Sequence, residues 1–189
     1  MTTKQVLKQV ATFLGKEELL MCPYFTGEEK ELTEEQSKEL DLMLRCLNLI
    51  VSEISTDYLP IYKEKEVCFV DRSLNLDSLD SNIFQVVSLK DEYSTNIRFK
   101  IIGNELKADA TNATIKFTAF AKDCTLDGEI DEFSVKIPDR VFAYGTAMEY
   151  SFISSLFDDA EIWESRYKNA LLMLSHKKHN LVMPKRRWL

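Results

Sequence analysis

Two histidines, four cysteines and a short run of carboxylates are the side chains here best suited to metal or catalytic chemistry. His176 and His179 stand three apart and would share a helix face if a helix reached that far. Their neighbours are Lys177 and Lys178, and no nearby Cys, Asp or Glu completes a metal set. Cys22, Cys46, Cys68 and Cys124 are widely separated, without the short spacing of a zinc knuckle or a CxxC redox pair. They read as reduced core or edge residues. Asp123, Asp127, Glu129 and Asp131 surround Gly128, but the glycine and glutamate positions are not those of an EF-hand loop. A solvated hairpin turn is the expectation. The chain has only five glycines and no GxxxxGK[ST], GxGxxG or GxSxG motif. The sequence therefore predicts no metal, no cofactor and no enzymatic activity.

The chemistry that stands out is that of association. Residues 177–189 hold five of the 24 Lys and Arg and no acid, leaving 19 basic against 31 acidic residues in the remainder, a net of −12. The whole chain carries −7, which argues against general nucleic-acid binding. An acidic body with a basic end predicts that the end docks on an acidic surface, such as a neighbouring copy. Lys177, Lys178, Lys185, Arg186, Arg187, Trp188 and Leu189 are the candidate partner-binding residues. Arg and Trp are enriched at interface hot spots. The tail is expected to become ordered against its partner.

The elements that must carry this tail are legible in the hydrophobic period. Val6, Leu7, Val10, Phe13 and Leu14 follow Thr2 and Thr3 at helical spacing, and Gly15 is a natural stop. A polar loop to about Leu32 includes the acidic run Glu28-Glu29-Lys30-Glu31. Thr33 and Gln36 make a capping box for a long helix, expected to end near Tyr58 because Pro60 disfavours helical geometry at Leu59. The period then shortens. Val67–Val70, Ile83–Leu89, Ile97–Ile101 and Thr114–Phe120 read as strands, with a turn at Gly103-Asn104. Phe133, Val135 and Ile137 are expected to end the strand region. Pro138 fits the first turn of a third helix running to Phe157 and broken at Asp158-Asp159. Its small residues, Ala143, Gly145, Ala147, Ser151 and Ser154, would admit another helix at close range. A fourth helix, about 159–176, places Ile162, Trp163, Tyr167, Ala170, Leu171 and Leu174 on one face.

The fold class predicted is α+β: a helical core of about four helices, an inserted antiparallel sheet and an extended C-terminal tail. The divisions are 1–58 for the N-terminal helices, 59–137 for the β insert, 138–176 for a helix pair packing on the N-terminal helices, and 177–189 for the basic tail. At 189 residues the chain can bury a sizeable core, and its 45% apolar and 29% charged content is that of a soluble globular protein. No apolar run approaches the roughly 20 residues needed to span a bilayer. Met1-Thr2-Thr3-Lys4-Gln5 lacks the apolar run of a signal peptide, so cytosolic synthesis is expected.

Pro138-Asp139-Arg140-Val141-Phe142-Ala143-Tyr144-Gly145-Thr146-Ala147-Met148-Glu149-Tyr150 and Ala160-Glu161-Ile162-Trp163-Glu164-Ser165-Arg166-Tyr167-Lys168-Asn169-Ala170-Leu171, with the terminal Lys185-Arg186-Arg187-Trp188, form a pattern. It resembles the head–tail connector (neck or adaptor) proteins of tailed bacteriophages. The likeness is close over these stretches and extends to the rest only in layout, with a strand insert larger than in the simplest all-helical adaptors. The resemblance implies a virion structural protein at the head–tail junction, made in the host cytoplasm. It implies a homo-oligomeric ring, commonly a dodecamer, below the portal protein and beside other neck or tail proteins. DNA would pass through that ring without sequence-specific contact, and an acidic wall would let it slide. The alternative from the residues alone is a non-viral soluble adaptor or regulatory protein-binding module.

Overall fold

The structure, a computed structural model, describes residues 1–28, 31–130 and 132–176. It is a mixed α+β protein, as the periodicities predict, with two compact units. Among the described residues, 2–47 and 137–176 make a helical unit, and 48–136, with Met1, make a sheet unit. Among the described residues no helix is long and apolar enough to cross a membrane.

The helical unit opens with α1 (Thr3–Phe13). The Thr2 hydroxyl accepts from the Gln5 N–H while the Gln5 side chain accepts from the Thr2 N–H, so two donors with no partner inside the helix are satisfied. Val6, Leu7 and Val10 are fully buried, each burial stabilising by roughly 1.5–3 kcal/mol. Gly15 follows at φ +65°, a conformation that glycine adopts without penalty. The stretch expected as loop instead holds two single turns, α2 (Glu17–Leu20) and α3 (Pro23–Thr26). They bury Leu19, Cys22 and Phe25. Turns this short have no helical stability of their own, so packing of the apolar run Leu19–Phe25 sustains them.

α4 (Glu34–Glu53) begins at the predicted capping box, Thr33 with Gln36. Its helical geometry changes before the predicted end. Ile54–Tyr58 form a π-helical turn in which the Leu59 N–H donates to the Ile54 carbonyl at 2.7 Å. The hydroxyls of Ser55 and Thr56 donate back to the Ser52 carbonyl, competing with the regular ladder.

α5 (Asp139–Ile153) packs against α1 and α6 (Phe157–His176). Its small residues Ala143, Gly145, Ala147 and Ser151 are buried. The break between the last two helices lies earlier than predicted. Ser154, Ser155 and Leu156 turn the chain, with Ser155 at φ +60°. Asp158 and Asp159 lie in the first turn of α6, where carboxylates favour the helix dipole instead of ending a helix.

The sheet unit holds two three-stranded antiparallel sheets instead of one. The first has order β1 (Ile61–Cys68), β6 (Asn112–Ala119), β3 (Ile83–Lys90); the second has order β2 (Ser73–Asn75), β5 (Glu105–Ala108), β4 (Phe99–Ile102). They share one core, to which β5 gives Leu106 and Ala108, β6 gives Ile115 and Phe117, and β3 gives Val86 and Leu89. β1 extends well N-terminal to the predicted Val67–Val70, because Lys63–Glu66 pair with β6 despite their charge. Phe133, Val135 and Ile137 form no strand; only Ile137 of the three is buried. Gly103, at φ +61°, makes the predicted turn between β4 and β5.

Candidate functional site

The seven predicted partner-binding residues, Lys177, Lys178, Lys185, Arg186, Arg187, Trp188 and Leu189, lie outside the described residues, as does His179. The stretch after Asp123 holds a turn, in which the Gly128 N–H donates to the Thr125 carbonyl at 3.0 Å, but among the described residues no strands flank it as the predicted hairpin requires; Asp131 lies outside the described residues. No group of three or more metal-ligating side chains occurs among the described residues. All four cysteines are free thiols. Burial pushes Cys46 up to about 11, with the Glu149 charge adding to the effect. Burial likewise pushes Cys124 up to about 11, helped by Asp123 and Glu132. Thiols so placed stay protonated at neutral pH and are poor nucleophiles.

In the helical unit the most conspicuous surface is the corner between α5 and α6. Phe152, Ile153, Leu156 and Phe157 are exposed by 41%, 52%, 47% and 64%. In one continuous helix from Pro138 to Phe157, Phe152 and Leu156 would lie along the same side as Val141, Ala147 and Met148. The turn at Ser154–Leu156 interrupts that helix, and both side chains, Phe152 in the last turn of α5 and Leu156 in the connection, stand in solvent. Ile162, expected on the packed face of α6, is also exposed, whereas Tyr167, Ala170, Leu171 and Leu174 are buried as predicted. Four large apolar side chains exposed within six residues make this corner a candidate surface for association, in a way scattered ones would not.

Two clusters, one aromatic and one polar, join the helices that end at this corner to α1 and α4. Phe13 of α1 stacks on Tyr144 of α5 and on Trp163 of α6, with ring centroids 5.4 and 5.2 Å apart. The Arg166 guanidinium lies 4.8 Å from the Trp163 ring, so part of that indole serves a cation–π contact as well as packing. The Tyr150 hydroxyl donates to the Glu39 carboxylate, which also pairs with Lys16 at 3.0 Å. Burial acts to raise the Glu39 pKa, but the hydrogen bond from Tyr150 and the Lys16 charge outweigh it and hold the carboxyl below its ordinary value. Lys16 is raised, chiefly through its contact with Tyr150. Sequence reasoning missed this triad. Tyr150 and Glu39 are 111 residues apart, and no spacing rule connects them.

In the sheet unit, β3 and β4 are the outer strands of their respective sheets. They begin as the arms of a hairpin. Asp91 N–H donates to the Thr95 carbonyl, Lys90 bridges to Asn96, and Ile97 N–H donates to the Leu89 carbonyl at 2.8 Å. Beyond Ile97 the arms part, β4 turning to pair with β5. A cleft of about 320 Å³ opens between them, lined by Ile83, Phe84 and Val86 on one side and Ile101, Gly103 and Asn104 on the other. Phe84 and Val87 are the residues skipped where the β3–β6 register shifts, and both are about half exposed. The charged residues lining the cleft are Asp77 and Asp80, both acidic. Lys63 donates to Asp80 at 2.8 Å, and that hydrogen bond lowers its pKa.

Compared with known proteins, the chain matches no family model and no curated protein.

Proposed function

We propose that this chain is a structural, non-enzymatic subunit of a virion head–tail connector, assembling as a homo-oligomeric ring that joins the portal to the tail and surrounds the DNA path. The observation that carries the assembly part of this reading is the exposed apolar corner of Phe152, Ile153, Leu156 and Phe157. Leaving such side chains in water forgoes burial worth roughly 1.5–3 kcal/mol each, and a neighbouring subunit recovers it. The aromatic stack and the Lys16–Glu39–Tyr150 triad support the same reading, because a corner held on braced helices loses little freedom on binding. The virion context rests on the likeness of the Pro138–Tyr150 and Ala160–Leu171 stretches to connector proteins. The acidic body suits a wall past which DNA slides.

The second reading, a non-viral adaptor or regulatory binding module, uses the same corner to bind one partner. Electron microscopy of the full chain mixed with a phage portal protein separates them. Closed rings seated on the portal are the expected result. A monomer or dimer that ignores the portal at micromolar concentration overturns the connector reading in favour of the adaptor.

A further inference from the structure

We propose that the cleft between β3 and β4 receives the C-terminal segment of a second copy of this chain, with Leu181–Met183 added as an extended strand and Lys185–Arg187 set against its acidic side. This rests on the assembly reading above and names its acceptor surface.

Three observations point to this occupant. First, among the described residues neither β3 nor β4 has a strand partner on its cleft side between their parting at Ile97 and the ends at Ile83 and Ile102. Outer strands of this kind present a ladder of backbone donors and acceptors that a further strand can pair. Second, the lining combines apolar side chains with carboxylates. Ile101 and Phe84 are about half exposed even though Phe84 also meets the Phe120 ring edge-on, and Asp77, beside an Asp80 already paired with Lys63, favours positive charge. Third, the chain itself supplies a segment with both properties. Residues 177–189 are free of acids, with the apolar triplet Leu181-Val182-Met183 followed by Pro184 and then Lys185-Arg186-Arg187. Pro184 lacks an N–H and so ends a strand ladder, confining pairing to the residues before it. The short run before the proline suits β4, itself four residues long.

The relation of β3 to its own sheet fits a receiving role. Register shifts put Phe84 and Val87 outside the regular pairing with β6. Bulges bend an outer strand and re-aim its side chains. Here the displaced residues are large and apolar, where charged residues would protect an unused edge.

The test uses the full chain with Phe84→benzoylphenylalanine, prepared in equal parts at natural isotope abundance and with nitrogen-15. The two are mixed, dissociated, reassembled and irradiated. Cross-linked peptides joining position 84 to residues 179–189, with one partner of each isotope, are the expected result. Adding Asp77→Lys should lower their yield by about 2- to 5-fold, the size of effect an exposed charge pair exerts. Cross-links to the tail that are always of one isotope overturn the inference, because the occupant is then the chain's own end. Absence of tail cross-links, with the circular dichroism melt unchanged, also overturns it. Mixed-isotope cross-links without rings on the portal leave this inference standing and remove the connector reading; portal-bound rings without them do the reverse.

Discussion

Tyr150, Glu39 and Lys16 illustrate how much one residue can decide. The Tyr150 hydroxyl and the Lys16 ammonium share one carboxylate that is only 28% exposed. Tyr150→Phe removes the hydroxyl and leaves the ring. Hydrogen bonds to charged groups contribute about 1.5–3 kcal/mol, and partial exposure puts the expected loss at the low end. The pH dependence has a definite sign. Glu39 is lowered from 4.5, so its stabilisation is present above that pH and is lost as pH falls through the still lower folded value. Lys16 is raised from 10.5, so its contribution is complete below that pH and is lost as pH rises through the higher folded value. Urea titrations across pH should therefore show a gap between the native chain and Tyr150→Phe that is widest at mid-range. The gap should narrow below about pH 4.5. A gap that does not change with pH would show that the hydroxyl does not act through the carboxylate.

At the scale of elements, small residues set how closely α5 approaches α1 and α6. Ala147 is fully buried, and its neighbours on that helix include Gly145 and Ser151, also buried. Ala147→Leu adds three carbons to a fully buried site. Overpacking of this kind costs roughly 1–3 kcal/mol, which for a chain of this size lowers Tm by roughly 3–10 °C. Thermal circular dichroism would measure it, with the exposed Leu172→Ala as a control expected to change little. An unchanged melt would place the helices further apart than described. The elements themselves were unevenly legible. α1 and α4 announced themselves by capping boxes, because a cap is local chemistry. α2 and α3 did not, because burial of Leu19, Cys22 and Phe25 sustains them. The apolar pattern reveals only the end of β1, since its charged half is held by pairing with β6, a partner about fifty residues away.

For the molecule as a whole, the charge asymmetry between an acidic body and a basic end carries the prediction. Deleting residues 178–189 removes only chain outside the described residues, so every described residue is kept. The truncated protein should melt as the full chain does but sediment as a smaller species. Sedimentation velocity beside circular dichroism tests both parts. A deletion that unfolds the protein, or that leaves assembly intact, counts against partner binding by the tail. Salt adds a discrimination: a purely electrostatic contact with DNA would weaken steeply, and one anchored by Trp188 on a protein would weaken less.

The sequence by itself determined the features that depend on near neighbours: caps, the change of period from helix to strand and back, the turn at Gly103, and the segregation of positive charge beyond residue 176. It thereby determined the α+β class. Only the tertiary structure decided that the strands form two sheets sharing one core, and that β3 and β4 part to leave a cleft. It also decided that the helix breaks at Ser154–Leu156, that Phe152 and Leu156 stand in solvent, and that Tyr150 meets Glu39. The physical reason is the same in each case. Pairing partners, burial and salt bridges are set by residues distant in the chain, and no local pattern of types or spacing encodes which distant residue arrives.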